Sequence, residues 1–265
     1  MTDFRRPVQR PGRAAMLVIA LVTVLSAGLP GAAQSQRAAA SGMILQRQPD
    51  HALLGSDGWF TLYGVGVLDS VVRAVNARVR ITGRITLTGS ECTAFDHGQY
   101  RDLSRTLEIC YDLADSVLAS GIRTWRSGDV WQSIRAVTFL VFHSAGHAVI
   151  SVTGMSFSGS EEDAADQFAA WVVLTSSRPT SSDGLVNFIT LQAGAELLAS
   201  RDTLLAARAR NLECYIVGAL GRIQGDLSPP SGRTQEECER EWRSVDGTWS
   251  TMIGRPVRAV RRSGS

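Results

Sequence analysis

Lysine is absent from this chain: all 27 basic residues among its 265 are arginine, which reads as compositional bias rather than function. A surplus of one charge is missing too. The formal charge is +2, and removing residues 1–33, which hold four Arg and one Asp, takes it to −1. Such a balance offers no basic surface for nucleic acid, and Arg255, Arg258, Arg261 and Arg262 read as a solvated tail. No glycine-rich phosphate loop occurs and no serine stands in a GxSxG elbow, so nucleotide binding and serine-hydrolase chemistry have no anchor. Internal repeats are missing. The four cysteines include no close CxxC pair, which argues against a thiolate metal site.

What is present begins with an address. Arg5, Arg6, Arg10 and Arg13 precede an apolar stretch over 14–29, then Pro30 and the small residues Gly31, Ala32 and Ala33. This is the pattern of a cleavable signal peptide spanning 1–33, with an uncleaved anchor as the competing reading. The stretch is short against the ~20 residues a spanning helix needs. A secreted or periplasmic protein, soluble once the signal is removed, is therefore expected. Cys92, Cys110, Cys214 and Cys238 then suggest two disulfides. Of the three connectivities, the spacings favour Cys92–Cys110 with Cys214–Cys238, which close local loops of comparable size.

Residues 34–58 read as a linker, small and polar at 34–42, and residues 59–265 as one domain. Apolar spacing predicts helices over 65–79, 128–153, 160–174, 184–199, 202–218 and 234–252. Ser160 followed by Glu161, Glu162 and Asp163 reads as a helix cap with an acidic first turn. Alternation predicts one strand over 81–92 and a second near 106–112, pairing antiparallel across a loop. The class is α+β, mostly helical with a small antiparallel sheet. Trp125, Trp131, Trp171, Trp242 and Trp249 read as core or half-buried anchors.

Two of the four histidines, His143 and His147, stand four apart on the longest helical pattern. That spacing puts both imidazoles on one face, able to bind one metal ion. Gly146 lets another segment approach the same helix. A bland alternative stays open, in which both are core histidines with other partners. The acidic helix start about fifteen residues on adds weight to a metal. Glu162 suits a third ligand, and Asp166, one turn later, suits a hydrogen bond to the far nitrogen of His143. His97 reads as a solvated loop histidine, and His51 lies outside the recognisable domain.

The segment FLVFHSAGHAVISVTGMSFSGSEEDAADQFAAWVVL resembles the core of a bacterial metallopeptidase family called domain of unknown function 4344. That family is gluzincin-like, with a pattern near FHExGHxxI…GxEExxADxxAA. CTAFDHGQYRDLSRTLEICYDL is similar to its cysteine-bounded hairpin, and RNLECYIVGALG with RTQEECEREW to its second cysteine pair. The resemblance covers nearly the whole chain after residue 33. It implies a zincin-like domain, zinc held by His143, His147 and Glu162, Asp166 beside His143, and a peptide-binding edge at Thr93, Ala94 and Phe95.

Two positions depart from the family pattern. Ser144 stands where the family has the glutamate that takes a proton from the attacking water and passes it to the leaving amine. Thr93 stands where such edges commonly carry Asn. The expectation is a zinc-binding metallopeptidase homologue with impaired or absent peptidase activity, acting on a peptide or protein ligand. The alternatives are an active zinc peptidase using another base, with Glu161 as the candidate, and a metal-free binding scaffold.

Overall fold

A computed structural model describes residues 41–47, 56–92, 98–124, 130–157, 159–176, 193–195, 203–221 and 227–253. All of them lie within one compact unit spanning Ala38–Ser265. The expectations for residues 1–33, for Thr93, Ala94 and Phe95, for His51 and His97, for Trp125, and for most of the helix over 184–199 lie outside the described residues. Within the last, residues 193–195 are helical.

The chain enters with strand β1 (Gly42–Leu45), inside the stretch whose composition reads as a linker. Asn76 holds β1 on both sides of Met43: its Oδ1 accepts from Met43 N at 2.8 Å, and its Nδ2 donates to Met43 O at 2.6 Å. Helix α1 (Asp57–Trp59), capped by Ser56, runs into a π-helical turn at Phe60–Gly64. Helix α2 (Val67–Arg78) follows, burying Val67, Leu68, Val71 and Val75.

Strands β2 (Arg84–Ser90), β3 (Gln99–Arg101) and β4 (Thr106–Cys110) complete a sheet ordered β1-β2-β4-β3. The pairing corrects the sequence expectation. β2 and β4 are parallel, with Ser90 opposite Cys110, and only β3 with β4 is antiparallel. The sheet is mixed because β4 inserts between β2 and β3, and the short β3 makes the reversal. A strand of three residues leaves little alternation to read.

Helix α3 (Tyr111–Thr124) continues directly from β4. Helix α4 (Val130–Thr153) follows, and Gly154, with φ of 62°, ends it. Its length and composition would let it cross a membrane, but 67% of its apolar window is buried within the fold. It is the core helix of a packed domain, contacting α2, α3, β3 and β4. Helix α5 (Glu161–Thr175) lies along it. Ser160 caps α5 as its sequence predicts, accepting from Asp163 N at 3.0 Å.

Helices α6 (Thr203–Leu220) and α7 (Gln235–Met252) pack on each other and on α5. Thr234 and Glu237 form a capping box at the start of α7. Trp171 and Trp249 are buried and Trp242 packs at the core edge, whereas Trp131 is 56% exposed at the start of α4. The disulfides are Cys92–Cys110, joining the ends of β2 and β4, and Cys214–Cys238, joining α6 to α7. That is the pairing the spacings favour.

Candidate metal centre

The site sits where α4 and α5 come closest, and Gly146 sets that distance. A Cβ built on Gly146 would stand 3.0 Å from Ala165 Cα and 3.1 Å from its carbonyl oxygen. Any side chain there holds the helices apart. With none, the faces bearing His143 and His147 on α4 and Glu162 and Asp166 on α5 meet directly.

His143 and His147 turn their Nε2 atoms toward each other, 3.1 Å apart. Glu162 closes the triangle: its Oε2 is 3.3 Å from His143 Nε2 and its Oε1 is 3.3 Å from His147 Nε2. Metal–nitrogen bonds of 2.0–2.1 Å in a tetrahedral arrangement place ligand atoms about 3.3 Å apart. The two nitrogens stand at about that separation, each has one oxygen of the Glu162 carboxylate at 3.3 Å, and two neutral imidazoles with one carboxylate suit a divalent cation. The donor set therefore fits a metal ion.

The far nitrogens are engaged as a metal site requires. His143 Nδ1 lies 2.8 Å from Asp166 Oδ1, and His147 Nδ1 lies 2.7 Å from Glu161 Oε1. A carboxylate at Nδ1 favours the tautomer with the proton there, the form in which Nε2 can donate its lone pair to a metal. The sequence reading anticipates the first contact. It misses the second, having assigned Glu161 to the helix cap.

Arg208, from α6, is the other residue sequence reasoning misses. Its Nε and Nη2 reach Asp166 at 2.6 and 2.9 Å, and its Nη1 reaches Glu162 Oε2 at 2.9 Å. Arg208 lies 42 residues after Asp166 in a chain rich in arginine, so no local signal marks it.

Electrostatics follow the geometry. Burial opposes protonation of His143, but its bonds to Asp166 and Glu162 outweigh burial and raise its pKa. Hydrogen bonding to Glu162 is the main cause of the raised pKa of His147. The same two imidazoles hold the Glu162 carboxyl well below the ordinary carboxylate range. Burial acts to lower the pKa of Arg208, and Asp166 more than reverses it.

Ser144 lies beside this centre, 5% exposed, and lines a cleft of about 510 Å³ that also reaches His147, Glu161 and Glu162. The opposite wall is the edge strand β3 with Gly98, Gln99, Tyr100 and Asp102. A Cβ on Gly98 would stand 2.9 Å from Ser144 Oγ, so strand and helix touch at Ser144. Among the described residues, the Ser144 hydroxyl makes no hydrogen bond.

The geometry brings together His143, His147, Glu162, Asp166 and Ser144 and adds Glu161 and Arg208. No curated protein and no solved structure matches the chain. The family model for domain of unknown function 4344, described as "Putative metallopeptidase", matches residues 60–253, and the chain belongs to that family.

Proposed function

We propose that this protein is an exported, zinc-binding metallopeptidase homologue whose peptidase activity is impaired, and that it works by holding a peptide or protein in the cleft beside its metal centre. The observation that carries this reading is the convergence of His143 Nε2 and His147 Nε2, 3.1 Å apart, on the Glu162 carboxylate, whose Oε2 and Oε1 lie 3.3 Å from the first and the second nitrogen. Two histidines and a carboxylate are a zinc donor set that leaves a fourth position open. Bound zinc would supply a Lewis acid that polarises a carbonyl and acidifies water.

The chain's own residues supply the rest. His143, His147 and Glu162 hold the ion, and Asp166 and Glu161 fix the two imidazole tautomers. Ser144 stands in the proton-transfer position, and a serine hydroxyl is not a base near neutral pH. Loss of general acid–base help is typically worth about 10²–10⁴-fold. Glu161 is a poor substitute, because its carboxylate is already bonded to His147 Nδ1. The N-terminal pattern and the two disulfides support export to a secreted or periplasmic location.

Two measurements test the reading. Elemental analysis of the purified protein, disulfides intact, is expected to give about one zinc per chain, lost in His147→Ala. Peptide hydrolysis is expected to be weak or absent in the native protein and stronger in Ser144→Glu. Metal-free native protein, or vigorous chelator-sensitive cleavage by it, would sink the proposal in its metal or its impaired half respectively.

A further inference from the structure

The cleft beside the metal centre has a sign. Its walls carry three carboxylates, Asp102 from the strand side and Glu161 and Glu162 from α5, and no arginine among its described lining. In a chain with 27 arginines, the nearby ones are turned to other tasks. Arg101 pairs with Glu108 at 2.7 Å, Arg105 donates to Thr82 O at 3.2 Å and to the hydroxyl of Tyr100, and Arg208 pairs with Glu162 and Asp166. Two of the cleft carboxylates remain after Glu162 is given to a metal.

The floor between these walls is apolar, with Leu107 and Ile150 at its base. The polar groups there are arranged rather than scattered. Asp102 accepts a hydrogen bond from Ser151 on α4, which fixes the carboxylate on the rim. Glu161 is fixed by His147 and is still 56% exposed. Ser144, 95% buried by its 5% exposure and without a hydrogen-bond partner among the described residues, faces the same space.

We propose that the cleft selects a ligand segment bearing an arginine or lysine, its aliphatic stem over Leu107 and Ile150 and its cationic head at Asp102 and Glu161. Long cationic side chains are suited to such a site because they cover apolar surface while keeping the charge at a polar rim. A guanidinium also brings several donors, matching an anionic rim that presents acceptors. This selectivity rests on the peptide-holding function proposed above and adds the chemical class of what is held.

The test uses the zinc-loaded protein and three fluorescein-labelled peptides, identical except for one central arginine, norleucine or glutamate, with binding read by fluorescence anisotropy. The arginine peptide should bind about tenfold tighter than the norleucine peptide, which corresponds to one charge-assisted contact of about 1.4 kcal/mol. The glutamate peptide should bind weakest. The arginine advantage should shrink at high salt and fall in Asp102→Asn and Glu161→Gln. Asparagine can keep the bond from Ser151, and Asp102 is not a ligand, so Asp102→Asn should retain its zinc.

Equal binding of the arginine and norleucine peptides, or an advantage unchanged in both variants, would overturn the selectivity and leave peptide holding intact. Binding of none of the three by zinc-loaded protein would overturn both.

Discussion

At the scale of single residues, the two histidines share a helix turn but not an environment. Asp166, on His143, is buried and also holds Arg208, whereas Glu161, on His147, is exposed. Removing them should therefore have different consequences. Glu161→Ala should lower zinc affinity about tenfold, the low end for a lost partner of a ligand histidine, with little change in melting temperature. Asp166→Ala should lower affinity comparably and also destabilise the fold by about 1–3 kcal/mol, because Arg208 keeps only Glu162 as a carboxylate partner for its mostly buried charge. Chelator competition and thermal melts would separate the two, and equal melting losses would refute the distinction. His143, Ser144, His147, Glu162 and Asp166 were legible because their geometry is local, fixed by helical repeat along two adjacent helices. Glu161 was misread because an acidic first turn satisfies the capping rule equally well. Arg208 was illegible because only tertiary packing brings α6 to the site.

At the scale of elements, the register of α5 on α4 decides whether the donors converge, and Gly146 is where that register can be tested. Gly146→Ala gains up to about 1 kcal/mol of helix propensity, which opposes the cost of crowding Ala165. Stability should therefore change little. The crowded contact must open by a few tenths of an ångström, and Glu162 and Asp166 move with it, so zinc affinity should fall. Gly146→Val overpacks the contact and should cost about 1–3 kcal/mol as well. Chelator competition beside thermal melts reads both effects, and an unchanged affinity in both variants would show that the site tolerates helix separation. The helices α2, α4, α5, α6 and α7 were legible because each carries a sustained apolar period or a capping signal. The direction of β4 relative to β2 was not, because it depends on β3, whose Gln99, Tyr100 and Arg101 sit among turn-forming residues.

At the scale of the whole molecule, the two disulfides brace different parts of one site. Cys92–Cys110 closes a loop with a sequence separation of 18 that contains β3, the wall of the cleft. Cys214–Cys238, with a separation of 24, ties α7 to α6, the helix that carries Arg208 to Glu162 and Asp166. Chain-entropy arguments give each about 3 kcal/mol, which for a domain of this size is a drop of about 6–12 °C in melting temperature. The functional losses should split. Cys92→Ala with Cys110→Ala should weaken peptide binding while zinc affinity stays close to native, since none of His143, His147 and Glu162 lies on the loosened strand. Cys214→Ala with Cys238→Ala should weaken zinc binding, because α6 is freed to draw Arg208 away from Glu162 and Asp166. Equal losses of zinc and peptide affinity in both double variants would mean that the wall and the cage move as one body, and that the bridges act only through global stability.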